Sequence, residues 1–352
     1  MRETYSVKGG VRIDERSLGL TTTYKQSEEF INMTSGSDIK WRNGDWVEVK
    51  SPAEIAQTLD AEGTLDGLPF MPEMLEHCGQ RYRVLRPAEK TCVEATGGSY
   101  LIREFHNNDV VLIEGLRCSG ANHDQCQRLC MFFWKVAWMR KVENGQLTGI
   151  VELSGQEVLR SKLKTIKGTG RYFCQSTELA NATKPLTRRR ILLKCFEDIR
   201  SGSRGFFEMA GLVLMPLLRK LSDSLFGRHR LEGTLTRTPV GNLGLRPGEL
   251  VVVKPLTNMK ATLDRRGRNR GLICDPELHR FAGKQYRVRC RLERMISEPT
   301  GEMKQIEATV ILDGITCLCP RVIGGCPRQD YGYWREVWLE RPISIERHED
   351  PA

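Results

Sequence analysis

The sequence predicts a mainly β protein with an α-helical insert, in which a helical segment joins two tandem SH3-like small barrels. The chain repeats itself: Gly44–Lys50 returns as Gly248–Lys254, and Gly79–Val84 matches Gly283–Val288 at the same offset. Both copies also contain several short segments of strand character separated by turn residues. Ungapped identities at one constant offset indicate duplication of a folding unit of roughly one hundred residues.

The repeat also sets the predicted domain boundaries. A chain of 352 residues is long enough for about two domains. The first SH3-like repeat covers residues 44–142 and the second covers residues 246–342. A helical, basic linker domain at 143–245 separates them. We expect residues 1–43 to form a flexible N-terminal segment and residues 343–352 to form a tail.

Within the first repeat, alternation and turn residues predict each element in order. Trp46–Lys50 alternates as a strand. Ser51 can cap the next helix and Pro52 can take its first position, so Glu54–Leu59 is predicted to be helical. Gly79 can end a second short helix. The other predicted elements are the helix Met71–Cys78 and the strands Tyr82–Leu85, Ser99–Glu104, Asp109–Glu114 and Phe132–Val142.

The linker domain carries two predicted helices joined by a Gly/Ser turn. An amphipathic run begins at Thr187, Ser201–Ser203 interrupts it, and Phe206–Leu218 is strongly apolar. Pro216 argues against one long helix. One interpretation is a helical hairpin that buries its apolar face against the barrels. The other is a basic amphipathic surface, over residues 187–230, for peripheral contact with a membrane or for docking to a partner.

Cysteines in the first repeat form the most specific chemical pattern. Cys118, His123, Cys126 and Cys130 lie within one short polar loop, and Cys92 precedes them at the end of a predicted strand pair. Thiolates and imidazoles are ligands that zinc prefers. Short intervals let a loop bring its ligands together at little entropic cost. We therefore predict a metal site with four thiolates and with His123 as a substitute ligand. The alternative is that these cysteines are small buried hydrophobes.

The second repeat keeps part of this pattern. Its predicted metal ligands are Cys317, Cys319 and Cys326. The counterpart of Cys130 is Asp330. A site with three thiolates would keep an open coordination position, as reactive metal sites do. The alternative is a degenerate site that binds no metal.

Zinc is the favoured metal, and an iron–sulfur cluster is the alternative. Three thiolates with an imidazole, or four thiolates, close a structural zinc site. Four cysteines can equally hold an iron–sulfur cluster, although the spacing here does not match the common ferredoxin runs.

Charge and composition limit the kind of partner and the cellular location that we expect for the protein. The net charge is +10 and the pI is about 9.1. A basic excess fits an acidic partner, which could be a protein, a nucleic acid or an anionic membrane face. The start of the chain lacks the apolar core of a signal peptide, and no stretch approaches the roughly 20 apolar residues of a transmembrane segment. We therefore expect a cytoplasmic location, where reducing conditions favour metal ligation by the 12 cysteines over disulfides.

Two further features are interpreted as structural. Glu73 lies beside a proline at a predicted helix start, where a carboxylate satisfies backbone donors. Four tryptophans recur in the two repeats and are assigned to the barrel core and its rim, where an exposed ring could form a peptide-binding groove. These tryptophans are Trp134, Trp138, Trp334 and Trp338.

Several blocks of the sequence resemble a group of bacterial proteins. The blocks are Leu68–Met74, Gly115–Gly120, Cys126–Trp138 and Tyr333–Leu339. The group consists of duplicated, cysteine-containing SH3-like proteins encoded near natural-product or polysaccharide biosynthesis genes. The resemblance spans most of the chain from about residue 44 to 342. It implies a bacterial cytoplasmic protein in a biosynthetic setting, and because the group has no established activity it transfers no catalytic residue.

The predicted function is a metal-binding, tandem-repeat binding or scaffold protein that acts as an accessory to a biosynthetic pathway. The groove between the barrels would bind an acidic peptide, a carrier protein or a nucleic acid. The alternative is an iron–sulfur or open-site metalloenzyme, or a redox protein, that uses the cysteine clusters. The sequence contains no phosphate-binding loop, Ser/His/Asp arrangement or nucleotide fingerprint, so no reaction is assigned.

Overall fold

The computed structural model describes residues 41–88, 90–95, 99–142, 154–200, 205–226, 231–317 and 327–342. Its fold is mainly β, as the sequence predicts, and contains two sheets of five strands each. All of the described residues belong to one compact unit. Most of the predicted flexible N-terminal segment and the whole of the predicted tail lie outside the described residues.

The first repeat is built on an antiparallel sheet with the strand order β8-β7-β4-β1-β9. Four predicted strands are confirmed as β1, β4, β6 and β7, with ends shifted by a few residues. The elements of this repeat are β1 (Trp46–Val49), α1 (Pro52–Thr58), β2 (Thr64–Leu65), β3 (Leu68–Pro69), a 3-10 helix (Pro72–His77), β4 (Arg81–Pro87), β5 (Thr91–Ala95), β6 (Ser99–Phe105), β7 (Val110–Arg117), β8 (Met131–Lys135), a 3-10 turn (Val136–Trp138) and β9 (Met139–Lys141).

A capping box explains why α1 begins at Pro52. The amide of Glu54 donates to Ser51 Oγ at 3.4 Å, and the amide of Ser51 donates to Glu54 Oε2 at 3.0 Å. These two bonds satisfy backbone donors that the first turn of a helix leaves unpaired. The predicted cap is therefore confirmed.

The linker domain is only partly helical. Its strand β12 pairs with β6 and extends the β5–β6 hairpin to three strands. The linker is thereby joined to the first repeat by backbone hydrogen bonds. Its elements are α2 (Gln156–Lys162), β10 (Ile166–Lys167), β11 (Arg171–Tyr172), α3 (Gln175–Glu178), β12 (Thr183–Pro185), α4 (Arg188–Arg200) and α5 (Phe206–Phe226).

The second repeat has the same architecture as the first. Its sheet has the strand order β20-β19-β16-β13-β21, which matches the first sheet strand for strand. The elements are β13 (Leu250–Val253), α6 (Leu256–Lys260), β14 (Arg268–Asn269), β15 (Leu272–Ile273), a 3-10 helix (Pro276–Phe281), β16 (Gln285–Arg291), β17 (Arg294–Ile296), β18 (Met303–Gln305), β19 (Thr309–Thr316), β20 (Tyr331–Arg335), a 3-10 turn (Glu336–Trp338) and β21 (Leu339–Glu340).

Small irregularities are repeated along with the strands. The register between β4 and β7 shifts between Val84 and Arg86, and the register between β16 and β19 shifts between Val288 and Cys290. These are equivalent positions in the two copies. Because a β-bulge is a specific local feature of a sheet, its recurrence supports the duplication inferred from the sequence.

The repeated tryptophans lie in the two cores. All four are fully buried. Trp138 Nε1 donates to Thr58 Oγ1 at 3.1 Å, and Trp338 Nε1 donates to Thr262 Oγ1 at 3.0 Å. The assignment to the core is confirmed. The assignment of a tryptophan to an exposed rim is wrong, so these rings form no peptide-binding groove.

The predicted closing strand Phe132–Val142 is wrong in one respect, because a 3-10 turn interrupts it. Its first part, β8, pairs with β7 at one edge of the sheet, and its second part, β9, pairs with β1 at the other edge. A single straight strand cannot reach both edges. The turn at Val136–Trp138 therefore lets the chain cross over and curl the sheet.

The two helices predicted in the linker domain are present as α4 and α5, and the predicted Gly/Ser turn between them lies outside the described residues. Helix α5 continues through Pro216, so the expected break is absent there. The expected burial of the apolar face is wrong: Leu192, Leu193 and Phe196 are 59%, 62% and 64% exposed. In the part of the chain that the structure describes, no helix is long and apolar enough to span a membrane.

Replacing Ser51 by alanine tests the capping box. We expect the Ser51→Ala variant to lose about 1 kcal/mol of unfolding free energy, because the first turn of α1 loses an acceptor for its backbone donors. Urea unfolding followed by circular dichroism measures this. Ser161→Ala is the control, since Ser161 Oγ donates to a carbonyl within an exposed helix. An equal loss in both variants would contradict the capping role.

Candidate metal centre at the junction of the repeats

The loop between β7 and β8 positions the predicted ligands of the first repeat. The Cys118 amide donates to the carbonyl of Cys130 at 2.8 Å, which closes the base of the loop. Gly120 has a φ of 70°. A Cβ atom at this position would lie 2.0 Å from the carbonyl oxygen of Cys126. Only glycine therefore permits the tight path that turns the cysteines toward one another.

Cys118, Cys126 and Cys130 line one cavity with a volume of about 40 Å³. A fourth cysteine, Cys174, lines the same cavity. It comes from the linker domain, where it immediately precedes α3. Met71 and Met131 add two thioethers to the wall. The cavity is therefore sulfur-rich and is built from both the first repeat and the linker.

Each of the four thiols interacts electrostatically with two of the others. Cys118 lies near enough to Cys130 and Cys174 for their charges to interact, and Cys126 stands in the same relation to both. Burial raises the pKa of Cys130 to about 12 and also raises the pKa values of Cys118 and Cys174. As free thiols these groups are neutral at pH 7. A bound metal centre would be required to hold them as thiolates.

His123 lies in the wall of this cavity, but both of its ring nitrogens are engaged. Nδ1 lies 2.8 Å from Glu73 Oε1, and Nε2 lies 3.1 Å from the carbonyl oxygen of Phe173. A carboxylate and a carbonyl both accept hydrogen bonds, so each ring nitrogen is engaged with an acceptor. In this arrangement neither nitrogen is free to bind a metal.

Glu73 is the partner that the sequence did not reveal. It is 5% exposed, and its Oε1 also accepts from the amide of Asn122 at 3.1 Å. Burial alone would raise the pKa of Glu73, but the hydrogen bond and the charge of His123 outweigh burial and lower it. The interpretation of Glu73 as a helix cap was therefore incomplete, because this carboxylate anchors the cysteine loop.

Cys92, the remaining predicted ligand of the first repeat, lies outside the loop and the cavity lining. It sits within β5, opposite Ile102 of β6, and it is not among the residues that line the cavity. Its carbonyl oxygen accepts a hydrogen bond from Arg328 Nη1 at 2.7 Å. The structure thus places Cys174, rather than Cys92, beside the three loop cysteines.

The predicted ligands of the second repeat cannot be compared in the same way. Cys317 is exposed and follows β19, whereas Cys319 and Cys326 lie outside the described residues. Asp330, the counterpart of Cys130, pairs with Arg328 at 3.0 Å. A second metal site remains a prediction.

Direct coordination of one ion is not preformed in the described part of the chain. No three histidine, cysteine, aspartate or glutamate side chains among those residues are grouped so that they could hold a metal ion. Zinc bound at about 2.3 Å to each thiolate would require the sulfur atoms to converge on one point. The predicted zinc site therefore stays a prediction.

One buried carboxylate joins the loop, the linker and the second repeat. Glu298 is 3% exposed. It accepts hydrogen bonds from Arg128 Nη2 at 2.9 Å, Arg328 Nη2 at 2.9 Å, Ser176 Oγ at 3.0 Å and the Glu94 amide at 2.8 Å. Burial alone would raise the pKa of Glu298, but Arg328 and Arg128 outweigh it and lower this pKa. The carboxylate is therefore ionised and holds two guanidinium groups.

The two repeats exchange equivalent contacts across this junction. Arg128 and Arg328 occupy equivalent positions, and so do Cys92 and Ile296. Arg128 Nη1 donates to the carbonyl of Ile296 at 3.3 Å, and Arg328 Nη1 donates to the carbonyl of Cys92 at 2.7 Å. Each repeat thus supplies an arginine to the other, as in a two-fold arrangement.

Arg117 strengthens the same junction. Its guanidinium donates to the carbonyls of Leu129 and Gln329, at 2.9 Å and 2.8 Å, which are equivalent positions in the two repeats. Both residues adopt positive φ values, 54° and 49°, that residues other than glycine rarely adopt. The strained backbone at these two residues directs both carbonyl oxygens toward the Arg117 guanidinium.

The sulfur-lined cavity therefore lies where both repeats meet the linker. The Ile296 amide of the second repeat donates to Cys126 Sγ at 3.3 Å. Ile296, Ser176 and Arg328 also line the cavity. Hydrogen bonds to cysteine sulfur and nearby positive charge are the factors by which proteins tune metal–thiolate centres.

No family model, no curated protein and no solved structure matches this chain.

Replacing Glu298 by glutamine tests the junction. We expect Glu298→Gln to destabilise the protein by about 3–5 kcal/mol at pH 7, because two buried guanidinium groups lose the buried carboxylate that they share. Because the pKa of Glu298 is lowered in the folded state, its contribution is complete above the unfolded pKa of about 4.3. The contribution is lost as the pH falls through the lower folded pKa, so the difference between the wild type and the variant should shrink there.

Urea unfolding at pH 7 and at acidic pH measures both effects. Glu302→Gln is the matched control, since Glu302 is an exposed glutamate on the same β17–β18 hairpin that pairs with Lys304. We expect little change in this control. A similar loss in both variants, or a difference that grows at acidic pH, would contradict the role of Glu298.

Proposed function

We propose that this protein binds an iron–sulfur cluster in the sulfur-lined cavity, through the thiolates of Cys118, Cys126, Cys130 and Cys174. The observation that carries the proposal is that four thiols line one cavity. Four cysteine thiolates are the usual ligand set of such clusters. Cys174 takes the place that the sequence pattern suggested for Cys92.

The arrangement of donors supports a cluster over a single zinc ion. One ion needs its ligands to converge on one point, and the described side chains are not grouped in that way. A cluster extends over several atoms, so its four cysteines need not converge on one point. His123, the substitute ligand for zinc, already has both ring nitrogens engaged with acceptors. Zinc remains the competing outcome of the experiment below.

The charges around the cavity support the same proposal. A cluster held by four thiolates carries net negative charge, and burying such a charge is costly unless it is compensated. Arg128 and Arg328 line the cavity and supply positive charge there, part of which Glu298 balances. The Ile296 amide supplies a hydrogen bond to Cys126 Sγ. Such hydrogen bonds and charges set the stability and the potential of iron–sulfur centres.

The fold suggests what the cluster does for the protein. The strand order of both sheets, with a 3-10 turn before the last strand, supports two SH3-like barrels. Because the cavity lies where the repeats and the linker meet, cluster binding would be coupled to the assembly of that junction. We infer a cytoplasmic, cluster-dependent binding or scaffold protein, accessory to a biosynthetic pathway.

A groove between the repeats favours binding as the second part of this function. Its volume is about 490 Å³, and Ser119, Gln127 and Leu129 of the first repeat face the second repeat across it. Arg289 and Arg291 lie on the far wall. A groove with arginines suits an acidic peptide or carrier protein, and loss of binding in an Arg289→Glu variant would test this.

Anaerobic reconstitution with iron and sulfide tests the cluster. We expect a brown protein with broad visible absorption and equal amounts of iron and acid-labile sulfide. Cys174→Ser should lose most of the bound iron, because one of four ligands is removed. Cys274→Ser is the matched control, since Cys274 is a buried cysteine in the core of the second repeat.

A Cys92→Ser variant separates the two candidate ligand sets. We expect it to retain the cluster, because Cys92 does not line the cavity. Loss of iron in Cys92→Ser with retention in Cys174→Ser would restore the ligand set inferred from the sequence. Stoichiometric zinc without sulfide would contradict the cluster and support the zinc site.

A further inference from the structure

The linker hairpin carries a large exposed apolar surface, here called the hairpin face. Its residues are between 45% and 89% exposed, with Phe207 the most exposed. Monomeric proteins rarely leave contiguous apolar patches of this kind uncovered, and such patches mark interaction sites. The hairpin face consists of Leu192, Leu193 and Phe196 on α4 and of Phe206, Phe207, Leu214, Met215, Leu217, Leu218 and Leu221 on α5.

Helix α4 is attached to the protein by its polar side. Lys194 is 2% exposed, with its Nζ near Glu104 at 4.0 Å and in contact with Asn108. Arg190 Nε pairs with Glu104 at 2.8 Å. The helix therefore turns a polar side toward the first repeat and an apolar side toward solvent. A surface helix of a globular protein normally packs its apolar side against the core and turns its polar side toward solvent. Helix α4 has the opposite orientation.

Basic side chains flank the apolar stripe of α4. Arg189 and Arg200 are both exposed. Their spacing relative to Leu193 and Phe196 places all four residues on one side of the helix. Leucine and phenylalanine between exposed arginines is the pattern of helices that lie in the interface of an anionic membrane. The net charge of +10 has the sign that such a surface attracts.

Among the possible occupants of the hairpin face, a lipid surface fits the charges best. If two copies of the protein met through this face about a two-fold axis, arginines of α4 would be brought together at the interface. Like charges at close range oppose such a contact. Anionic headgroups supply the missing counter-charge, and the acyl boundary accepts the leucine and phenylalanine side chains.

We propose that the hairpin face is a membrane-docking surface that inserts into the headgroup region of an anionic bilayer without spanning it. This surface is separate from the sulfur-lined cavity, so the proposal does not depend on the cluster. Binding combines apolar burial by α4 and α5 with attraction between arginines and lipid phosphates.

Vesicle sedimentation with the full-length protein tests this proposal. The vesicles are phosphatidylcholine with or without phosphatidylglycerol. We expect binding to the anionic vesicles, weakening as salt rises, and much weaker binding to the neutral ones. Phe196→Glu should weaken binding by about tenfold or more, because it places a negative charge in the apolar stripe. Arg189→Glu combined with Arg200→Glu should remove the preference for anionic lipid.

Matched controls keep the outcomes distinct. Ile273→Glu changes an exposed apolar residue of the second repeat, 47% exposed and outside the hairpin face, and should bind as the wild type does. Thermal unfolding should be unchanged in Phe196→Glu, since that side chain is 64% exposed. Failure of the wild type to bind anionic vesicles at low salt would overturn the proposal. The proposal would also be overturned if the wild type did not bind vesicles but formed a dimer in lipid-free solution, and if Phe196→Glu made that dimer dissociate. That result would assign the hairpin face to a second copy of the protein.

Discussion

The buried carboxylate of Glu298 is the interaction on which the junction of this protein depends. It neutralises two guanidinium groups that come from different repeats, and it also binds a serine hydroxyl of the linker. Charges this deeply buried are tolerated only when they are paired and hydrogen-bonded. Because Arg128 belongs to the cysteine loop and also lines the cavity, the balance of charge at Glu298 fixes the position of the thiols. The chemistry of the cavity and the docking of the repeats therefore depend on the same buried residues.

Much of the fold could be predicted from the sequence because each element of the repeat occurs twice, so the two copies can be compared. The strands, the capping box at Ser51 and the core tryptophans follow from local patterns that the structure confirms. The sequence also identified three of the four cysteines of the cavity, since they lie within one loop. The 3-10 turn between β8 and β9 was missed, because alternation within a strand does not tell where the chain must cross to another edge.

The remaining parts of the site depend on partners that are distant in the chain. Cys174 lies in the linker, which has no second copy to compare, so no spacing rule connects it to the loop. Glu73 and His123 are separated by fifty positions, and their hydrogen bond follows only from tertiary packing. The apolar periodicity of α4 indicated a face to be covered. It could not indicate that Lys194 would turn inward and leave that face outside.

The two repeats exchange reciprocal arginine contacts at their junction. Such contacts are those of an isologous interface, in which each of two identical subunits presents the same patch to the other. A homodimer of a single ancestral repeat would have placed two equal glutamates at its axis. In the fused chain the equivalent residues Glu94 and Glu298 differ. Burial, and secondarily the charge of Glu298, raise the pKa of Glu94, whereas Glu298 is ionised. Once the two copies are joined in one chain, their sequences can diverge at equivalent positions. One loop can keep its full set of thiols while its twin exchanges a cysteine for Asp330.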